Sequence, residues 1–309
     1  MKSRTFASLA GALLLLVPVA IRSPFYLDLL VQMMIAGLIA SSLNLLLGLG
    51  GLLSFAQTAL AGTVSYMAAL GCVMGGLSPW LAALGAVAAG LLLSVAIGAL
   101  ALRATGLNIG MITLALAQVM WGLALHWSGV TGGENGISGI PRPSLPVGSA
   151  AEPVVWYECV SVLFLVLVVA LHRFMHSSLG ISLAAVRSQP KRMSALGFDI
   201  WTIRMCAFAI AGLVASLAGV LYVFHQQFIS PHALALGETA ETLLMVIVGG
   251  PATLLGPLAG AVIVVLFRVV VSSYFDHWPV LLGVLFVAVV VLLPEGVVPG
   301  MCRVTRRLR

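Results

Sequence analysis

The chain has 309 residues, 61% of them hydrophobic and only 8% charged, with a mean hydropathy of +1.16. Soluble domains carry roughly 25% charged residues, so this composition excludes an ordinary soluble domain and points to repeated membrane crossings. The net charge of +6 does not call for a nucleic-acid partner, because its distribution follows the membrane instead.

In hydrocarbon every backbone N–H and C=O needs an internal partner, so spans are helices or closed barrels. No ten-residue stretch alternates as a barrel strand does. The expected fold class is therefore all-α, a polytopic inner-membrane helical bundle in a single transmembrane domain over 1–309. Apolar segments fall near 7–21, 26–48, 52–76, 80–102, 105–127, 154–173, 204–226, 239–250, 256–272 and 279–294, which predicts about ten transmembrane or half-membrane segments. The first begins MKSRTFASLAGALLLLVPVA. That basic, apolar, small-residue order suits either an uncleaved first span or a cleavable signal; we read it as a span, and cleavage leaves the later orientation unchanged.

With the amino terminus inside, the inner positions hold Lys2, Arg4, Arg103, Arg173, Arg187, Lys191, Arg192 and Arg204 and the basic carboxyl end. The outer positions hold Arg22 and Arg142. This asymmetry places both termini in the cytoplasm. The outer loop at about 128–153 contains TGGENGISGIPRPSLP, whose Gly and Pro density predicts a turn-rich, non-helical segment. The inner loop at about 174–203 predicts a short helix capped by Ser188, with Pro190 in its first turn and Gly197 at its end.

Segments 239–250 and 256–272 are shorter than the ~20 residues of a full crossing. Between them lies GGPATLLGPLAG, 249–260. Gly249, Gly250, Pro251, Gly256 and Pro257 break a hairpin over about 243–271. Irregular backbone at membrane depth must be buried in protein or line a cavity, so this break belongs in the interior or at a protein interface. It reads as a broken segment of a transporter or as a tight turn between tilted helices. LGLGGLLSFAQTALAG (47–62) echoes VIVGGPATLLGPLAG (246–260) in placing Gly-Gly at an inner boundary.

No catalytic constellation is legible. Cys72, Cys159, Cys206 and Cys302 are scattered apolar fillers, and neither Lys2 nor Lys191 follows a glycine as a phosphate-binding loop requires. His172 and His176 read as interfacial residues, and no metal site is expected. Spans nearly empty of charge argue against a proton-coupled carrier; Arg268, near the outer end of its segment, is expected to snorkel outward. Ser54, Thr58 and Ser65 are spaced for one helical face, and Ser41 and Asn44 lie three apart on the preceding span. Such residues either bond helices together or line a solute path; the path candidates are Asn44, Ser54, Gln57, Thr58, Thr113 and Gln118. Pairs such as Ala215/Gly219, Ser94/Gly98 and Gly256/Gly260 allow close helix approach.

Several stretches in order resemble the M-type permease subunit of branched-chain amino acid ABC importers. They are SLNLLLGLGGLLSFAQTALAGTVSYMAAL (42–70), ITLALAQ (112–118), TGGENGISGIP (131–141), LGISLAAVRSQPKRMSALGFDI (179–200), AFAIAGLVASLAGVLY (207–222), LLMVIVGGPATLLGPLAGA (243–261) and LLPEGVVPG (292–300). The resemblance implies a non-enzymatic transport subunit of the bacterial inner membrane that pairs with a second homologous permease. It also implies two cytoplasmic ATPase subunits, which carry the ATP and Mg, a periplasmic solute-binding protein, and no cofactor in this chain. The inner loop corresponds to the ATPase-docking segment, with Gly180, Arg187, Ala195, Leu196 and Gly197 as its coupling residues. Ser188, Gln189 and Pro190 stand where the family often carries acids. Urea and short-amide importers have similar permeases, so the substrate class stays open between these and amino acids.

Overall fold

The computed structural model of the chain describes residues 23–143 and 152–274, with isolated positions between 280 and 296. The expected first segment at 7–21, most of the last at 279–294, the basic ends and most of LLPEGVVPG lie outside the described residues.

The described elements, in order, begin with α1 (Pro24–Asn44), continued by a π-turn (Leu45–Leu49), then α2 (Ala56–Val73), α3 (Pro79–Ala101), α4 (Asn108–His126) and the one-turn α5 (Ser128–Thr131). β1 (Ile137–Ser138) follows, then α6 (Pro153–Met175), the short inner pair α7 (Ser178–Ser188) and α8 (Pro190–Ala195), and the long α9 (Ile200–Gln226). β2 (Phe228–Ile229), α10 (Leu236–Gly249) and α11 (Leu255–Ser272) complete the order. Seven of these helices are long and apolar enough to cross a membrane: α1 with its π-turn, α2, α3, α4, α6, α9 and α11. Helix α10 has 14 residues, about 21 Å at ~1.5 Å per residue, which is short of a ~30 Å hydrocarbon core. The fold is thus all-helical and polytopic, with seven spans among the described residues.

Three spans, α1, α3 and α6, open on a proline at the first helical position, where no intrahelical N–H is lost and φ is already helical. Helices α1, α2 and α9 are the most buried and form the centre. Helix α9 packs on α2, α3 and α1, while α10 and α11 pack on each other and on α1. Small residues set the spacing. A side chain at Gly219 would collide with the Ala61 carbonyl, and Ser65 Oγ, 2.7 Å from the Gly219 carbonyl, bonds α2 to α9. Ser94 Oγ donates to the Phe208 carbonyl at 2.7 Å, joining α3 to α9. The close-approach reading of Ala215/Gly219 and Ser94/Gly98 is met.

Three local expectations need correction. Ser188 ends α7 and turns back to the Ala185 carbonyl at 3.0 Å instead of capping a helix; the following helix begins after Gln189, with Pro190 at its first position, and Gly197 leaves it at φ +86°. A second helix, α7, fills the inner loop, because the Ser177 side chain accepts the Gly180 amide and starts it. The outer loop is not free of helix: Thr131 Oγ1 donates to the Ala124 and Trp127 carbonyls and folds a turn. Beyond it, Ile137 and Ser138 pair antiparallel with Ile229 and Phe228, just past the C-terminal end of α9. Asp199 caps α9 by accepting the Trp201 amide at 3.0 Å, and its bond from the Thr202 hydroxyl holds the carboxyl below its ordinary range.

Substituting Gly219→Val forces α2 and α9 apart. Overpacking of this kind costs ~1–3 kcal/mol, and the expected outcome is a lower thermal midpoint of the detergent-solubilised protein. An unchanged midpoint would show that the contact yields.

Candidate functional site

A cleft enclosing about 710 Å³, open solvent at its mouth included, lies among α1, α2, α9, α10 and α11. Its polar lining includes Gln32, Thr58, Ser65, Glu238, Glu241 and Arg268; its apolar lining includes Ile35, Ile39 and Met245. Glu241 is buried to 4% exposure and faces Arg268 at 3.4 Å. The expected outward snorkelling of Arg268 is therefore corrected: the guanidinium turns inward, because a buried carboxylate on the neighbouring helix offers a charge partner. This pair was hidden from sequence reading, since only the hairpin between α10 and α11 brings residues 241 and 268 together.

A second pocket, enclosing about 640 Å³ with open solvent included, lies where the N-terminal ends of α1 and α6 meet the C-terminal end of α9, lined by Asp28, Arg142, Trp156 and His225 among others. Trp156 Nε1 donates to His225 Nδ1 at 3.2 Å, and His225 Nε2 lies 3.2 Å from Asp28. An indole N–H only donates, so Nδ1 accepts and Nε2 carries the proton toward Asp28. Arg142 sits 5.3 Å over the Trp156 ring and donates to the Phe224 and His225 carbonyls. His225 lines both cavities.

The break between α10 and α11 is clamped. Asn44 Oδ1 accepts the Ala252 amide at 2.9 Å, and Asn44 Nδ2 donates to the Thr253 carbonyl at 2.8 Å. Ala252 holds φ +65°, uncommon for a residue with a side chain. Gly48 has no room for a side chain against Asn44 Oδ1 and the Ala252 amide, and its carbonyl accepts from Arg187 Nη1. The Arg187 stem lies against Gly51, which holds φ +64°. A continuous polar link thus runs from α7, through the π-turn of α1, to the turn between α10 and α11. Gly249, Gly250, Gly256 and Pro257 are buried, whereas Pro251 at the tip of the turn is exposed.

Of the sequence candidates, Thr58 alone lines the cleft; its hydroxyl donates to Thr242 Oγ1 at 3.2 Å. Ser54 precedes α2 instead of sharing its face, and lies 3.5 Å from the Ala56 amide. Gln57 Oε1 accepts from Ser42 at 3.4 Å. Thr113 accepts the Phe55 amide at 3.1 Å and donates to the Gly110 carbonyl. Gln118 is half-buried on α4. In the inner loop, Gly180 packs under the Phe174 and Met175 carbonyls. Ala195 ends α8, and Leu196 and Phe198 form an exposed apolar tip.

Residues 25–293 match the family model described as branched-chain amino acid transport system, permease component. A high-affinity branched-chain amino acid transport system permease protein LivM from Salmonella typhimurium is 28% identical over 235 residues, covering 67% of this chain and 55% of that protein. The protein of the same description from Escherichia coli is 28% identical over 226 residues, covering 66% and 53%. A probable branched-chain amino acid transport permease protein LivM from Methanocaldococcus jannaschii is 26% identical over 208 residues, covering 62% and 59%. The chain thus spans little more than half the length of the curated relatives it matches. No solved structure matches it.

Removing the clamp with Asn44→Ala leaves the Ala252 amide and Thr253 carbonyl unpaired, at a cost of ~1–3 kcal/mol each where buried. Faster amide exchange across 250–254 is the expected readout, and Ala252→Gly, which relieves the left-handed backbone by ~1 kcal/mol, partly offsets it. Unaltered exchange in Asn44→Ala would remove the clamp from the account.

Proposed function

The chain belongs to the family of permease components of branched-chain amino acid transport systems, and from that membership we propose that it is the membrane permease subunit of an ATP-binding-cassette importer for small apolar amino acids. On this reading the protein is one half of a solute path in a bacterial inner membrane. It has about ten segments, counting those outside the described residues, and both termini are cytoplasmic. A second homologous permease completes the path, two ATPase subunits carry ATP and Mg, and a periplasmic binding protein delivers the solute.

The observation that carries the reading is the polar link from Arg187 through Gly48 and Asn44 to the break that joins α10 to α11. Those helices form one wall of the cleft. A push on the inner loop therefore meets a connected route to the solute cavity and not a flexible tether. The exposed Leu196 and Phe198 beside basic Lys191 and Arg192 suit docking into a groove of a soluble subunit. Gly197 at φ +86° sets the angle of that tip, a conformation that side chains disfavour.

The test is ATP-dependent uptake by the complete complex in proteoliposomes, with leucine and urea as alternative solutes. Uptake of leucine and not urea is expected. Arg187→Ala removes a charge-assisted bond of ~1.5–3 kcal/mol, so uptake should fall about tenfold or more while the two permeases still co-purify. Full uptake by the Arg187→Ala complex would overturn the coupling assignment. Uptake by this chain alone under an ion gradient would overturn the importer reading.

A further inference from the structure

We propose that Glu241 and Arg268 form a head-group reader for an α-amino acid zwitterion in the cleft, Glu241 taking the ammonium and Arg268 the carboxylate. This rests on the importer reading and adds to it the residues that recognise the solute. The pair lies on two different helices, α10 and α11, with both side chains lining the same cavity. Its 3.4 Å separation is longer than the ~2.7–2.9 Å of a well-formed charge-assisted bond. Glu241 Oε1 has no hydrogen bond among the described residues although the side chain is buried. A buried carboxylate held by one distant partner is poorly compensated, and an ionisable pair at membrane depth facing a cavity marks a solute or ion route.

The chemistry of the surroundings selects among ligands. Glu238 also lines the cleft, so two carboxylates face one guanidinium there and the balance favours a ligand that brings a cation. The same ligand must offer an anion to Arg268, whose planar fork suits a carboxylate. Ile35, Ile39 and Met245 supply an apolar wall for a side chain. Urea or a short amide brings neither charge. A free α-amino acid with an aliphatic side chain brings both charges and the side chain.

The experiment is equilibrium binding of radiolabelled leucine to the complete transporter purified without its binding protein, with leucinamide, 4-methylpentanoate and urea as competitors. Leucine should bind, and each competitor should be at least about tenfold weaker, because each lacks one charge or both. Glu241→Gln and Arg268→Gln should each weaken leucine about ten- to a hundredfold. Where a single variant fails to assemble, the paired Glu241→Gln, Arg268→Gln change leaves no lone buried charge and takes its place, with the same loss expected. The reversed pair, Glu241→Arg with Arg268→Glu, separates the roles: it restores an ion pair but inverts the polarity, so leucine binding should stay lost. Recovery of binding in the reversed pair, or unchanged binding in the glutamine variants, would overturn the proposal and leave the pair a structural brace. Absence of leucine binding to a wild-type complex that still imports leucine would overturn it too, without touching the importer reading. Failure of the wild-type complex to import any amino acid would reject that underlying reading.

Discussion

A main-chain amide or carbonyl withdrawn from water without a partner costs ~1–3 kcal/mol, and the turn between α10 and α11 frees both. The Asn44 carboxamide answers them at once, accepting from the Ala252 amide and donating to the Thr253 carbonyl. Thr253 Oγ1 completes the repair by accepting the Gly256 amide at 3.1 Å and donating to the Gly250 carbonyl at 2.9 Å. Four of the polar groups that the break frees are thus met by Thr253 or by a single side chain from α1. Without that satisfaction a Gly- and Pro-rich turn would have no reason to hold one shape, and the cleft wall built by α10 and α11 would have no fixed base.

The π-turn at Leu45–Leu49 serves the same constraint from the other side. An extra residue per turn, common at functional sites, lets Gly48 sit against Asn44 and the Ala252 amide while its carbonyl points to Arg187. Gly48 of the first echoing stretch is thus brought against Ala252 of the second, and a side chain at Gly48 would separate them.

Helix positions were legible because apolar runs of the right length have few alternatives: α1, α2, α3, α4, α6, α9 and the α10–α11 hairpin all fall where those runs lie. The placing of Pro190 in a first turn and the Gly197 exit followed from backbone geometry alone. Site chemistry was less legible. Asn44 carried the spacing of a path residue, but its partner lies more than 200 positions away, and no local pattern announces a side chain bound to a distant turn. Arg268 looked like a snorkelling base, since it was judged on its own helix and without Glu241. Their meeting depends on how the hairpin folds, which periodicity does not encode. Ser188 failed as a cap for a simpler reason: helix α7 had already claimed it, and Gln189 took the extended backbone that a start requires.

His225 belongs to two chambers at once, with its imidazole pinned between an indole and a carboxylate. The two linings therefore share one anchor drawn from three helices, Trp156 of α6 and Asp28 of α1 each holding one nitrogen of a ring carried by α9.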